Sequence, residues 1–185
     1  MRSRAVARGR LRASLGFAGA AGMPDMYPYL EALQNTWLSA LIRDTKWSYP
    51  AIEVVHLFGI VTMLGTMLAF DLRLMNVWLS RWPVSLVMNR LLPWTWTAFA
   101  VMIASGTALF ISDPLRFYYN VSFRIKLVLI VLAGLNAIVF QVTAFRTMGR
   151  WDLSVDTPRG AKAAGFLSIV LWFGVVAAGR WIAFV

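Results

Sequence analysis

Four stretches of the chain are apolar at nearly every position, and each is bounded by charge, proline or aromatic residues. They run from about Pro50 to Leu72, Pro93 to Ser112, Phe123 to Phe145 and Ala161 to Phe184. A hydrocarbon core about 30 Å thick needs about 20 helical residues at 1.5 Å each, so every stretch has the length of a transmembrane helix. The pattern predicts an all-α fold, a four-helix transmembrane bundle over residues 47–185. Prolines 50, 93 and 158 are placed at or before helix starts, where a missing N–H costs little, and Asp113-Pro114 ends the second helix. A different pattern precedes these stretches. Over Tyr29–Ile42 the residues Leu30, Leu33, Trp37 and Leu41 recur at spacings of three and four, with Glu31, Gln34, Asn35 and Ser39 between them. This predicts a short amphipathic helix within 29–46, lying in the membrane interface or packed on the end of the bundle.

Aromatic and small residues fit this frame. Trp47 and Tyr49 precede the first span, Trp78, Trp82, Trp94 and Trp96 fall between the first and second, and Phe117, Tyr118 and Tyr119 fall between the second and third. Trp151 follows the third span and Trp181 lies near the end of the fourth. Amphipathic rings favour the headgroup level, so these residues mark the two interfaces. The pairs Ala104/Ala108, Ala133/Ala137, Ala164/Ser168 and Gly174/Ala178 are spaced to let helix backbones approach closely, within the chain or between copies of it.

Composition agrees with lipid as solvent. The 185 residues are 59% hydrophobic, against about 45–50% in soluble domains. There is no cysteine, which excludes disulfides, thiolate metal sites and thiol nucleophiles. The net charge is +10, and half of it comes from Arg2, Arg4, Arg8, Arg10 and Arg12. No nucleic-acid recognition motif follows this basic run, so no nucleic-acid partner is expected. Residues 1–22 read as a leader, either disordered or untranslated if Met23 or Met26 is the first residue. Four crossings put the N-terminal segment, the 113–122 loop and the C-terminus on one side, here side A. Without the leader, the loops on the other side, side B, hold slightly more Lys and Arg, which turns side B towards the cytoplasm.

Ionisable groups inside spans are costly and need a partner or a role. Glu53 and His56 lie three residues apart in the first span, and His56 is the single histidine. Arg180 lies at a similar depth in the fourth span, so a Glu53–Arg180 ion pair is expected, with Lys126 and Asp113 as competitors. Glu53 is then placed to orient His56. Asn136 and Gln141 in the third span complete a candidate polar cluster of Glu53, His56, Arg180, Asn136 and Gln141, the two amides as interhelical hydrogen-bonding groups. Asp71 and Arg73 close the first span on side B as an interfacial lock, with Lys162 or Arg146 as partner for Asp71. His56 is also the candidate cofactor ligand, since neutral imidazole binds haem or a metal. Met63 and Met67 lie on roughly the same stripe, where packing is the alternative role. No Gly-rich phosphate loop, Gly-x-Ser-x-Gly elbow or His-Glu-x-x-His helix is present.

Four segments carry a resemblance: Tyr49-Pro50-x-Ile52-Glu53-x-x-His56-Leu57-x-Gly59, Asp71-Leu72-Arg73-Leu74, Gly134-Leu135-Asn136-Ala137 and Gly179-Arg180. Over residues 47–185 the chain resembles a family of small bacterial four-helix membrane proteins, a domain of unknown function. It is also loosely similar to copper-resistance-D-type and cytochrome-b-like membrane domains. The resemblance implies a multi-pass protein of the bacterial inner membrane with lipid around it. It also implies a histidine, in other members, near Asn136-Ala137-x-x-Phe140, where Gln141 stands in this chain. A two-histidine haem or metal site therefore lacks one ligand here.

These readings lead to an integral membrane protein with a polar intramembrane Glu/His/Arg site, leaning non-enzymatic. The alternatives are a redox subunit holding haem b on His56 or a quinone near it, and a small transporter or copper-handling protein. Membrane lipids, a second copy of the chain and another membrane subunit are the candidate partners.

Overall fold

The computed structural model of the chain describes residues 26–152 and 157–184. The basic leader over 1–22 lies outside the described residues. Two short helices come first, α1 (Tyr27–Gln34) and α2 (Trp37–Asp44). Then follow α3 (Ser48–Leu74), α4 (Val84–Ser112), a one-turn α5 (Pro114–Tyr119), α6 (Val121–Val142) and α7 (Arg159–Trp181). Short 3₁₀ turns occupy Phe145–Arg150 and Ile182–Phe184. No strand occurs among the described residues.

Helices α3, α4, α6 and α7, the last with its 3₁₀ extension, are long and apolar enough to cross a membrane. Their outer faces confirm the solvent they need. Phe58, Val61, Val131 and Phe173 are 71%, 69%, 60% and 62% exposed, and a continuous belt of such side chains has no stable place in water. Inside, Met63, Ala98, Ala133, Leu171, Trp172 and Val175 form the central core, and Leu74, Val84, Phe140, Trp151 and Ala161 form a second one towards side B.

The helices are arranged as a bent row. Helix α3 packs along α4 on one flank and α7 on the other, and α7 packs along α6. Close approach is set by small residues. A Cβ on Gly59 would lie 2.9 Å from Met102 Cγ, and one on Gly165 would lie 3.0 Å from the Asp71 carbonyl oxygen. Helices α4 and α6 make no comparable contact. At side A the gap between them is bridged by aromatic rings. Phe110 of α4 stacks on Phe123 of α6 at 5.6 Å, and Phe117 of α5 sits 6.4 Å and 5.7 Å from the two.

Three local expectations are corrected. The second membrane helix starts at Val84 rather than Pro93, so Pro93 lies inside it. Proline removes one N–H and leaves only one carbonyl without its usual helical donor, and the Pro93 position is exposed. Val84 and Val87 are buried and hold the added turns in place, and Trp94 and Trp96 become outward-facing helix residues. The N-terminal amphipathic segment is two helices, not one. Thr36 breaks it by accepting from Ser39 N–H at 3.3 Å, and its hydroxyl donates to the Leu33 carbonyl at 2.7 Å. The pair packs on the side-A end of the bundle, where buried Ser39 donates its hydroxyl to the Ser112 carbonyl at 3.3 Å. Finally, Ala104 and Ala137 face outward, whereas Ala133 and Ser168 are buried. Four-residue spacing alone does not say which face of a helix meets its neighbour.

Side B is closed by Arg73, only 1% exposed. Its Nε–H donates to the Trp82 carbonyl at 2.7 Å and its Nη1–H to Asn76 Oδ1 at 3.0 Å, and Thr157 Oγ1 donates to the same Asn76 oxygen at 3.3 Å. These bonds hold a loop in which Asn76 and Leu79 adopt φ of 60° and 56°, a left-handed conformation that costs a non-glycine residue about 1–2 kcal/mol. Asp152 adds a second tie, accepting from Ser85 N–H at 2.8 Å and Ser85 Oγ–H at 2.6 Å. It thereby caps the first turn of α4 from a distant loop. The expected lock thus consists of Arg73 with its loop. Asp71 pairs with neither Lys162 nor Arg146: it is 5% exposed and faces Ser168 of α7. Asp71 lies at the close α3–α7 approach, where a Cβ on Gly165 would meet its backbone carbonyl at 3.0 Å.

Candidate functional site: a polar cavity at one end of the bundle

A cavity of about 330 Å³ lies in the side-A half of the bundle, walled by α3, α4, α6 and α7. It occupies the gap that α4 and α6 leave, behind the Phe110–Phe117–Phe123 rings. Its lining on α3 runs from Tyr49 to Leu64, about 22 Å along the axis. The polar residues gather at the outer end. Glu53 and His56 come from α3, Arg116 from α5, Lys126 from α6 and Arg180 from α7. Met63, Leu64 and Trp172 form the inner, apolar end.

His56 is buried, at 9% exposure. Its Nδ1 lies 2.9 Å from Ser105 Oγ on α4. The serine hydroxyl has one proton, and it donates that proton to the Val101 carbonyl at 2.6 Å. Nδ1 then carries the hydrogen and donates to Ser105, with the Met102 backbone as a further hydrogen-bond partner of the ring, and Nε2 is the acceptor nitrogen. The expected Glu53–His56 partnership is absent. The imidazole is instead held by Ser105 on α4, while Glu53, one turn away on the same face of α3, lines the same cavity.

The expected Glu53–Arg180 ion pair is also not formed. Among the described residues, the ion pair within 4 Å is Arg43–Asp44, exposed at the surface. Arg180 instead lies over the Phe184 ring at 5.2 Å. Both residues still line the same cavity, at the same end. Lys126 joins them: its Cδ and Nζ lie 3.7 Å from where a Cβ on Gly179 would stand, so its stem crosses α7 beside Arg180. Asp113 turns away to accept from Arg116 N–H at 3.4 Å, capping α5. Three cationic side chains and one carboxylate therefore line the cavity, Lys126 partly buried and Glu53, Arg116 and Arg180 exposed.

The other two members of the sequence-derived cluster lie elsewhere. Asn136 donates its Nδ2–H to the Ala164 carbonyl at 2.9 Å, joining α6 to α7 outside the cavity. Gln141 is exposed on the outer face of α6. Ser105, Tyr49 and Arg116 belong to the site and were not among the sequence candidates. A serine in the middle of an apolar helix carries no mark of the histidine opposite it. Among the described residues no group of three or more His, Asp or Glu side chains converges as a metal would require.

Fold and cavity together define a class: a multi-pass membrane protein, by the length and apolarity of its helices, with a polar recess at one end of a four-helix bundle. The chain belongs to DUF6644, a family of unknown function, whose profile matches residues 45–185. No curated protein and no solved structure matches it.

Proposed function

We propose that this protein is a non-enzymatic, ligand-binding protein of the bacterial inner membrane, and that its ligand occupies the side-A cavity. The observation that carries the reading is the convergence of Glu53, His56 and Arg180, from two separate helices, on a single cavity. Ionisable groups within membrane helices ordinarily mark a ligand or ion site. At about 330 Å³ the cavity falls within the usual range for small-molecule pockets. His56 contributes an acceptor at Nε2, and Arg180 and Lys126 contribute donors. The test is to purify the protein from its native membrane, denature it and identify released small molecules by mass spectrometry. A molecule released in stoichiometric amount from the wild type and missing from Ile60→Trp, which fills the cavity, is the expected result. Release of nothing, or equal release from both proteins, would refute the reading.

A second reading has one observation in its favour. Neutral His56 with Nε2 as its acceptor nitrogen is the form that ligates haem iron. A bis-histidine haem b does not fit, because the chain has one histidine; this reading therefore requires a five-coordinate haem on His56. An absorbance scan decides: a Soret band lost in His56→Ala supports it, and a colourless protein rejects it. Copper handling would use His56 with Met63 and Met102, which line the cavity, whereas Met67 does not; metal analysis checks this.

A further inference from the structure

We infer that the occupant of this cavity is an anionic amphiphile: a carboxylate or phosphate head held by Arg116, Lys126 and Arg180, with an apolar body lying against Met63 and Trp172. The inference rests on the ligand-binding reading above and names the chemical class of the ligand.

Three features support it. The first is charge. Three cations and one carboxylate line the recess, and none of the four has an ion-pair partner within 4 Å among the described residues. With Glu53 balancing one cation, two positive charges are left for the occupant. Basic residues at helix ends commonly reach outward to lipid headgroups, and Arg124 on α6, exposed like Arg116 and Arg180 but outside the cavity lining, fits that role. Lys126, two residues on, is turned inward instead, its stem laid across Gly179 of α7.

The second feature is polarity along the length of the cavity. On α3 the lining extends about 22 Å, yet its polar residues, Tyr49, Glu53 and His56, all lie in the outer half. Leu57, Ile60, Met63 and Leu64 continue the wall inward. A compact inorganic anion would use only the outer end and leave the inner end empty. A head with a tail fills both.

The third feature is position. The recess lies where α4 and α6 fail to pack, in a fold whose outer surface is made for lipid. An amphiphile from the membrane meets matching surroundings there: basic groups at headgroup level and apolar wall below.

The test measures thermal unfolding of the full-length protein in nanodiscs of zwitterionic phosphatidylcholine, titrated with three probes. Dodecyl phosphate supplies head and tail, dodecanol the tail, and inorganic phosphate the head. Dodecyl phosphate is expected to raise the unfolding midpoint saturably. Its apparent affinity should fall at least tenfold in Lys126→Gln/Arg180→Gln and hold in Arg159→Gln, whose charge lies at side B. Should the double variant fail to fold, Lys126→Met alone replaces it, with a several-fold loss expected. Dodecanol binding as tightly as dodecyl phosphate, and blocked by Ile60→Trp, would overturn the anionic assignment while upholding a ligand in the cavity. Inorganic phosphate matching dodecyl phosphate would overturn the amphiphile in favour of a free anion. Binding of dodecyl phosphate that is unchanged in both Lys126→Gln/Arg180→Gln and Ile60→Trp would overturn the location.

Discussion

The His56–Ser105 contact is the most informative single bond to break. In Ser105→Ala the serine hydroxyl disappears and the His56 Nδ1–H, in a side chain 9% exposed, loses its acceptor at 2.9 Å. The Val101 carbonyl that received the serine proton keeps its ordinary α-helical N–H donor, so it is not left unsatisfied. A fully unpaired buried donor would cost about 1–3 kcal/mol, and the Met102 backbone, a further partner of the ring, keeps the loss in the lower part of that range. Interhelical hydrogen bonds measured in bilayers average about 0.6 and reach about 1.7 kcal/mol, which puts the expected loss at about 1–1.5 kcal/mol. In His56→Leu the donor is absent from the start, so the same serine change should then cost almost nothing. The two substitutions must couple by about 1 kcal/mol. Equilibrium unfolding in mixed micelles, run on the wild type, both single variants and the double variant, measures this term directly. Coupling of less than about 0.3 kcal/mol would show that the imidazole does not donate to Ser105, and the assignment of the acceptor role to Nε2 would fall with it.

Other substitutions test the frame around the site by the same unfolding assay. Asp152→Ala removes both acceptors of Ser85 and should cost about 1–2 kcal/mol; Asp152→Asn should recover part of that, and an unchanged Asp152→Ala would mean the loop does not cap α4. Asn136→Ala should cost about 0.6–1.7 kcal/mol through the lost bond to Ala164, while outward-facing Gln141→Leu should be neutral or stabilising; the reverse order would put the wrong face of α6 inside. Gly165→Ala sets a methyl 3.0 Å from the Asp71 carbonyl oxygen and should destabilise by about 1–3 kcal/mol, whereas a neutral effect would mean that α3 and α7 are further apart.

The fold was largely legible in the sequence because lipid imposes a coarse rule. A helix must be about 20 residues long and apolar on all sides, and the residue types of 50–72, 123–145 and 161–184 announce it. The start of α4 was not legible. Proline ordinarily signals a boundary, and nothing in the sequence says that buried Val84 and Val87 and a cap from Asp152, 67 residues from Ser85, outweigh Pro93. The site was half legible. Depth along a helix can be counted from its ends, so Glu53 and Arg180 were placed at one level and do line one cavity. Rotation about a helix axis cannot be counted that way when the helix is apolar all round. This is why nothing in the sequence points to Ser105 as the partner of His56, and why outward-facing Gln141 reads as part of the cluster.

The central claim is that α3 and α7 present positions 53 and 180 to one shared recess. The chain has no cysteine, so a Glu53→Cys/Arg180→Cys variant can be tested in native membranes without competing thiols in the same chain. A bifunctional maleimide with a reach of about one cavity width should crosslink the two positions within a single chain, detected by mass spectrometry of the joined peptides. Absence of a crosslink, with the two cysteines labelled by impermeant reagents from opposite faces of the membrane, would contradict the account.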